Sequence, residues 1–229
     1  MLACEGARFA SPSRPSFFFG ENKSWTSLVE VRLNDRDGNS AGIFDVVLVS
    51  YDERGKVTDF GALEVQAVYI SGNVRGPFDQ YMTDGTTAGN WSVRPDFLSS
   101  SRKRLAPQLV FKGGILNTWG KRQAVALQTH FYSTLPELPR IADPQQADMM
   151  WLLYDLERDA TTDRFRLVLK DTIYTQFEAA LIRLTKPRVG PMQQFVAALQ
   201  RSLDSKLIPP DAPALTDLPI IEDSPEMEG

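Results

Sequence analysis

The sequence is poor in the residues that build most metal and disulfide sites. It has one cysteine, Cys4, and one histidine, His130, in 229 residues. A single cysteine excludes a disulfide within the chain and any multi-cysteine zinc or iron centre, and a single histidine excludes a His-rich metal set. Lone Cys and His residues are usually structural, and Cys4 and His130 are read that way. No apolar run approaches the ~20 residues of a membrane helix. Phe17, Phe18 and Phe19 form a short apolar block without a basic lead, too short for a signal-peptide core. The expected compartment is therefore the cytoplasm, with no membrane partner. There is no internal repeat and no GxxxxGK[ST] loop to cradle a nucleotide phosphate. An excess of positive charge is also missing, the net charge being −4. Net charge hides distribution, however, and carboxylates at a metal site count against it.

What remains is an ordinary globular composition, 42 % hydrophobic and 24 % charged. The length suits one packed domain. Residues 1–20 read as an irregular lead-in rich in Ser, Pro and Gly, residues 21–208 as the domain, and residues 209–229 as an acidic, Pro-rich disordered tail. Residues 25–33 are ambiguous. Ser27 and Glu30 resemble a helix capping box, while Val29, Val31 and Leu33 alternate like a strand. Residues 43–51 and 57–70 read as two strands of a hairpin across Asp52-Glu53-Arg54-Gly55. Residues 102–119 have helical spacing at Leu105, Leu109 and Leu116, with Pro107 and Gly113-Gly114 as weak points. Residues 123–134, 149–156 and 165–171 read as strands, and 175–184 and 192–207 as helices, with Phe195, Leu199 and Leu203 on one stripe of the second. The fold class expected is mixed α/β (α+β): a central mixed β-sheet with a core hairpin, flanked by helices.

The hairpin carries the chemistry. Asp45 interrupts the apolar strand Ile43-Phe44-Asp45-Val46-Val47, and Glu64 interrupts Leu63-Glu64-Val65-Gln66-Ala67. Burying an unpaired carboxylate costs several kcal/mol. No Lys or Arg lies within either strand core, so a bound cation is the economical compensation. With Tyr51 and Lys56 flanking the turn, paired numbers sum to about 107, which sets Asp45 and Glu64 as diagonal neighbours about 7–8 Å apart on one face. Gln66 shares that face, because side chains repeat every two residues. One residue more or fewer in the turn would move Glu64 to the opposite face, absent a bulge. Two carboxylates suit magnesium, which keeps waters and leaves room for a phosphate. Gln66 is placed to orient water or a phosphate oxygen.

Asp45 followed by Glu64-Val65-Gln66 resembles the PD-(D/E)XK nuclease signature, with Gln in the usual Lys place. More narrowly, Leu63-Glu64-Val65-Gln66-Ala67 followed by Gly72-Asn73 resembles the NotI-type restriction endonucleases, which carry an E-x-Q variant. Glu30, fifteen residues before Asp45, matches the additional acidic residue of that family. The resemblance runs from about residue 25 to about residue 136. It implies a restriction-endonuclease-like fold, magnesium held by Asp45 and Glu64, support from Glu30, positioning by Gln66, and cleavage of both strands of double-stranded DNA by a homodimer. It departs from the family at one point: NotI has a four-cysteine iron site ahead of the nuclease core, where this chain has only Cys4. Either the module is absent from this relative, or the chain begins downstream of it.

A second signal is electrostatic. Arg94, Arg102, Lys103, Arg104, Lys112, Lys121 and Arg122 fall in one stretch in which Asp96 is the only acid, with Trp91 and Trp119 among them. Arg94, Arg102, Lys103, Arg104, Lys121 and Arg122 are the expected DNA contacts, since phosphate neutralisation supplies much of protein–DNA affinity. Two other readings stay open: a catalytically inactive DNA-binding module of the same fold, and a magnesium phosphohydrolase acting on small phosphates.

Overall fold

A computed structural model describes residues 13–84, 94–159, 164–186 and 189–207. Six strands form one mixed sheet: β1 (Trp25–Asn34), β2 (Ser40–Tyr51), β3 (Val57–Gln66), β6 (Gln123–Gln128), β7 (Met149–Asp159) and β8 (Arg164–Thr175), in that spatial order. The outer pairs are antiparallel, whereas β3–β6 and β6–β7 run parallel. Two short strands, β4 (Tyr69–Ser71) and β5 (Arg94–Asp96), pair separately beside it. The expected mixed sheet with flanking helices is therefore the architecture found. No helix among the described residues is long and apolar enough to cross a membrane.

Each face of the sheet has its own cover. On one lies a continuous helix over residues 97–118, α3, following α1 (Ser13–Phe19) and α2 (Arg75–Asp84) in the chain. Leu105 and Leu109 of α3 pack with Val125, Leu127, Met149, Trp151 and Ile173, together with Phe131 of α4 (Thr129–Ser133) and Phe177 and Ala180 of α5 (Phe177–Thr185). Leu116 packs with Val47, Val49 and Ala62 at the β2–β3 end. The opposite face buries Phe17 and Phe18 of α1 against Leu48, Leu63, Ala124 and Met150. Gly61 permits that approach, since a Cβ there would come within 2.3 Å of the Phe18 ring and 2.7 Å of the Arg122 carbonyl.

Several elements differ from expectation. The lead-in over residues 1–20 contains the helix α1 across its last part, and Phe17 is only 2 % exposed; a three-Phe block has too much apolar surface to remain in solvent. The ambiguous segment at residues 25–33 is strand, because β1 finds a ladder partner in β2 along its length. The second hairpin strand stops at Gln66 instead of continuing to Ile70. The strand expected to 134 ends at Gln128 and gives way to α4, while β7 and β8 run longer than their apolar stretches. Pro107 and Gly113 do not break α3. Instead it widens into π-turns at Ser101–Leu105 and Leu109–Gly113. Gly113 is buried where a Cβ would stand 2.7 Å from the Phe177 ring.

One compact unit spans Met1–Lys186 and a second spans Pro187–Gly229. The second contains α6 (Met192–Leu207), at the expected bounds, with Phe195, Leu199 and Leu203 exposed. The acidic tail lies outside the described residues.

Candidate functional site

The register of the hairpin differs from the simple count, and the difference preserves the face. Ser50 pairs with Asp59 and Val46 with Leu63, so paired numbers sum to 109. The Tyr51–Val57 closing pair adds one residue to the expected turn, and a bulge between Ser50 and Tyr51 adds the second. A shift of two leaves every side chain on its original side. Asp45 then comes directly across from Glu64, where the last ladder pair, Val46–Leu63, has already been passed. The Asp45 carboxylate accepts a hydrogen bond from the Val65 N–H at 2.8 Å.

At Asp45 the alternation of β2 skips a beat. Phe44 packs with Val47 and Leu116, whereas Val46 packs with the Phe17–Phe18 cluster on the opposite face. In a regular strand Phe44 and Val46 would share a side. Across the ladder, the pairs Val29–Val46 and Val31–Phe44 bracket Glu30 and Asp45. Glu30 has φ 53°, a left-handed conformation costing about 1–3 kcal/mol in a residue with a Cβ. The backbone strain of β1 thus sits opposite Asp45. The Glu30 side chain is exposed. The ladder sets Glu30, Asp45 and Glu64 at successive positions across three strands.

Glu64 and Gln66 are buried, 8 % and 6 % exposed, on either side of the exposed Val65. They lie beside Val125 and Leu127 of β6, under α3. The Gln66 amide donates to the Ala67 carbonyl at 2.9 Å. Glu64 meets a residue that the strand pattern does not disclose: Lys112 Nζ stands 2.5 Å from Glu64 Oε2. Both side chains are largely enclosed, and the ammonium lies 5.9 Å from the centre of the Phe44 ring. The cation missing from the strand cores therefore comes from the covering helix. The sequence did contain a signal, since Lys112 occupies a gap in the Leu105, Leu109, Leu116 spacing, where a core-facing leucine would be at home.

Compensation by Lys112 is incomplete. Glu64 Oε1 is buried without a hydrogen-bond partner. Burial pushes the Glu64 carboxyl above its ordinary range, the Lys112 hydrogen bond opposes this, and the Asp45 charge adds to the upward push. A buried carboxylate oxygen without a donor, beside a second carboxylate, suits a hard divalent cation. Among the described residues no group of three or more His, Cys, Asp or Glu side chains forms a metal cluster.

The basic stretch divides. Arg102, Lys103 and Arg104 are exposed on the first π-turn of α3, with the Arg104 guanidinium 5.4 Å from the Tyr69 ring centre, and Arg94 is exposed on β5. Lys121 and Arg122 are committed elsewhere. Lys121 pairs with Asp59 at 2.7 Å. Arg122 donates to the carbonyls of Phe17 and Gln145 and lies over the Phe17 ring. Lys121 thereby ties to β3, and Arg122 links α1 and the neighbouring loop to the sheet. His130 packs edge-on against Phe97, 4.8 Å between centroids, and Cys4 lies outside the described residues.

The model of the restriction endonuclease NotI family matches residues 9–167, so the chain belongs to that family. The match takes in α1 through β7 and the start of β8, and with it every residue of the candidate site. No curated protein sequence matches the chain. Membership implies a site-specific DNA endonuclease, a DNA-cleaving hydrolase.

Proposed function

We propose that this chain is a magnesium-dependent, site-specific endonuclease of the PD-(D/E)XK superfamily, in its E-x-Q form, cutting both strands of DNA as a homodimer within a cytoplasmic restriction system. The observation that carries this reading is the meeting of Asp45 and Glu64 across diverging strands, with Glu64 Oε1 buried and unpartnered. Asp45 and Glu64 would hold the ion, and Glu30, at the next position across the sheet, would support it. Magnesium, when bound, lowers the pKa of a water and offsets charge on the scissile phosphate. Gln66, a neutral amide, orients water or a phosphate oxygen. Arg94, Arg102, Lys103 and Arg104 hold the flanking backbone and so position the duplex.

Two observations favour a second reading, a DNA-binding module without cleavage. Lys112 already pairs with one oxygen of Glu64, and the Gln66 amide is already bonded to the backbone. Incubating the full chain with plasmid and bacteriophage DNA, with and without magnesium, decides between the two. Discrete fragments that require the metal are expected. Retention of DNA in a gel shift, with no cleavage in magnesium or manganese, would establish the binding module instead. Light scattering on the free chain tests the dimer.

A further inference from the structure

We propose that Lys112 is both the resting counter-ion of Glu64 and the cation that meets the scissile phosphate once a divalent ion takes its place. This rests on the metal-nuclease reading above and extends it to a residue outside the strand motif. Three observations carry it. The Lys112–Glu64 pair is enclosed and short, at 2.5 Å, with side chains 13 % and 10 % exposed. Glu64 has one oxygen on Lys112 and the other without a partner. Gln66 is neutral and bonded to the Ala67 carbonyl, so it brings no positive charge to the site.

A divalent cation bound between Asp45 and Glu64 competes directly with the ammonium for the same carboxylate. The displaced Lys112 stays within a few ångströms, because its Cα is fixed in α3. Its four-carbon stem and rotatable donors let it turn from a carboxylate to a phosphate oxygen without backbone movement. Lys112 sits on the π-turn at Leu109–Gly113, and such turns often mark functional positions in helices. A fixed positive charge in an enclosed site stabilises developing phosphate charge far better than the same charge in water.

The test measures Mn2+ binding to the full chain without DNA, by the electron paramagnetic signal of the free ion, alongside single-turnover DNA cleavage at saturating Mn2+. Wild type, Lys112→Met, Lys112→Arg and Asp45→Asn are compared, with circular dichroism and thermal melting to establish that each folds. Lys112→Met is expected to bind Mn2+ about tenfold tighter, its competitor being gone, yet to cleave about 100-fold more slowly. Lys112→Arg, which keeps the charge, is expected to bind Mn2+ as wild type does and to recover part of the rate. Unchanged or weaker Mn2+ binding by folded Lys112→Met, or an undiminished rate, overturns the proposal. If Asp45→Asn loses Mn2+ binding and cleavage while Lys112→Met behaves as wild type, the nuclease reading stands and the role of Lys112 alone falls. If none of the four binds Mn2+ or cuts DNA, both fall together.

Discussion

The two halves of the central sheet handle buried polarity in opposite ways. In the β6–β7–β8 half the Trp151 indole N–H donates to the Thr175 hydroxyl at 3.0 Å, both side chains being fully buried. That pair is satisfied and sits among Met149, Leu153, Ile173 and Phe177. In the β1–β2–β3 half, Glu64 is buried with one oxygen unpartnered, Asp45 lies across from it, and Glu30 holds a left-handed backbone. The first half satisfies its central buried pair by ordinary hydrogen bonding; the other breaks three local rules within one row of residues. Strain and unsatisfied charge persist only where surrounding structure over-determines them. The regular half supplies that structure, and the irregular half keeps the candidate site.

This contrast predicts that the halves will separate in mutation. The largest effect is expected at Asp45. Asp45→Ala should reduce metal-dependent cleavage at least about 1,000-fold, roughly 4 kcal/mol of transition-state stabilisation. Its melting temperature should barely move, and it should still bind DNA in calcium, as read by gel shift. A large loss of stability in this variant would make the site half structural and erase the contrast. Next comes the core: Trp151→Ala should cost about 3–5 kcal/mol in urea unfolding. The more delicate Thr175→Val should cost about 1–3 kcal/mol by leaving the indole N–H buried and unpaired. The folded fraction of Thr175→Val should cleave at the wild-type rate, and a slower rate would tie the two halves together.

Charge reversal of Arg102, Lys103 and Arg104 together should weaken DNA affinity across sequences. If all three contact phosphate, the slope of log affinity against log salt should fall by up to about 3. An unchanged slope in fluorescence titrations would make the run a solvated face of α3. The smallest effect is expected at Asp148, in the regular half. Burial raises its carboxyl above the usual value, although the Phe177 N–H, 2.6 Å away, pulls the other way. A raised folded pKa means that its contribution is fully present below the unfolded value of 3.8 and is lost as pH rises through the folded one. Asp148→Asn keeps an acceptor for Phe177 without the charge. It should therefore match wild type at acid pH and exceed it slightly in stability at neutral pH. Equal melting temperatures across that range would show that the N–H bond cancels the effect of burial.

Much of the site was legible because strand chemistry is local. Asp45 and Glu64 stand out against apolar neighbours, and a two-residue repeat assigns Gln66 to the side of Glu64 whatever the register. The predicted pairing was two residues out, which leaves Glu64 and Gln66 on the side assigned to them, since only odd shifts exchange faces; the skip in β2 falls at Asp45 itself. The charges of Lys121 and Arg122 are visible in a sequence, whereas their engagement within the protein is not. Asp59 and the carbonyls of Phe17 and Gln145 become their partners only after the chain has folded.

By itself the sequence determined the mixed fold class, the hairpin and the carboxylate pair, all of which follow from periodicities within a few residues. Tertiary structure decided which cation reaches Glu64 and where the strands break step. Lys112 lies 48 positions from its partner; the helix repeat turns it inward, but nothing in that repeat says which group it meets there. The skip in β2 at Asp45 requires Glu30 on another strand to adopt the matching backbone. Both outcomes depend on packing α3 and β1 against the hairpin, a choice made by burying apolar area over the whole unit rather than by any local preference.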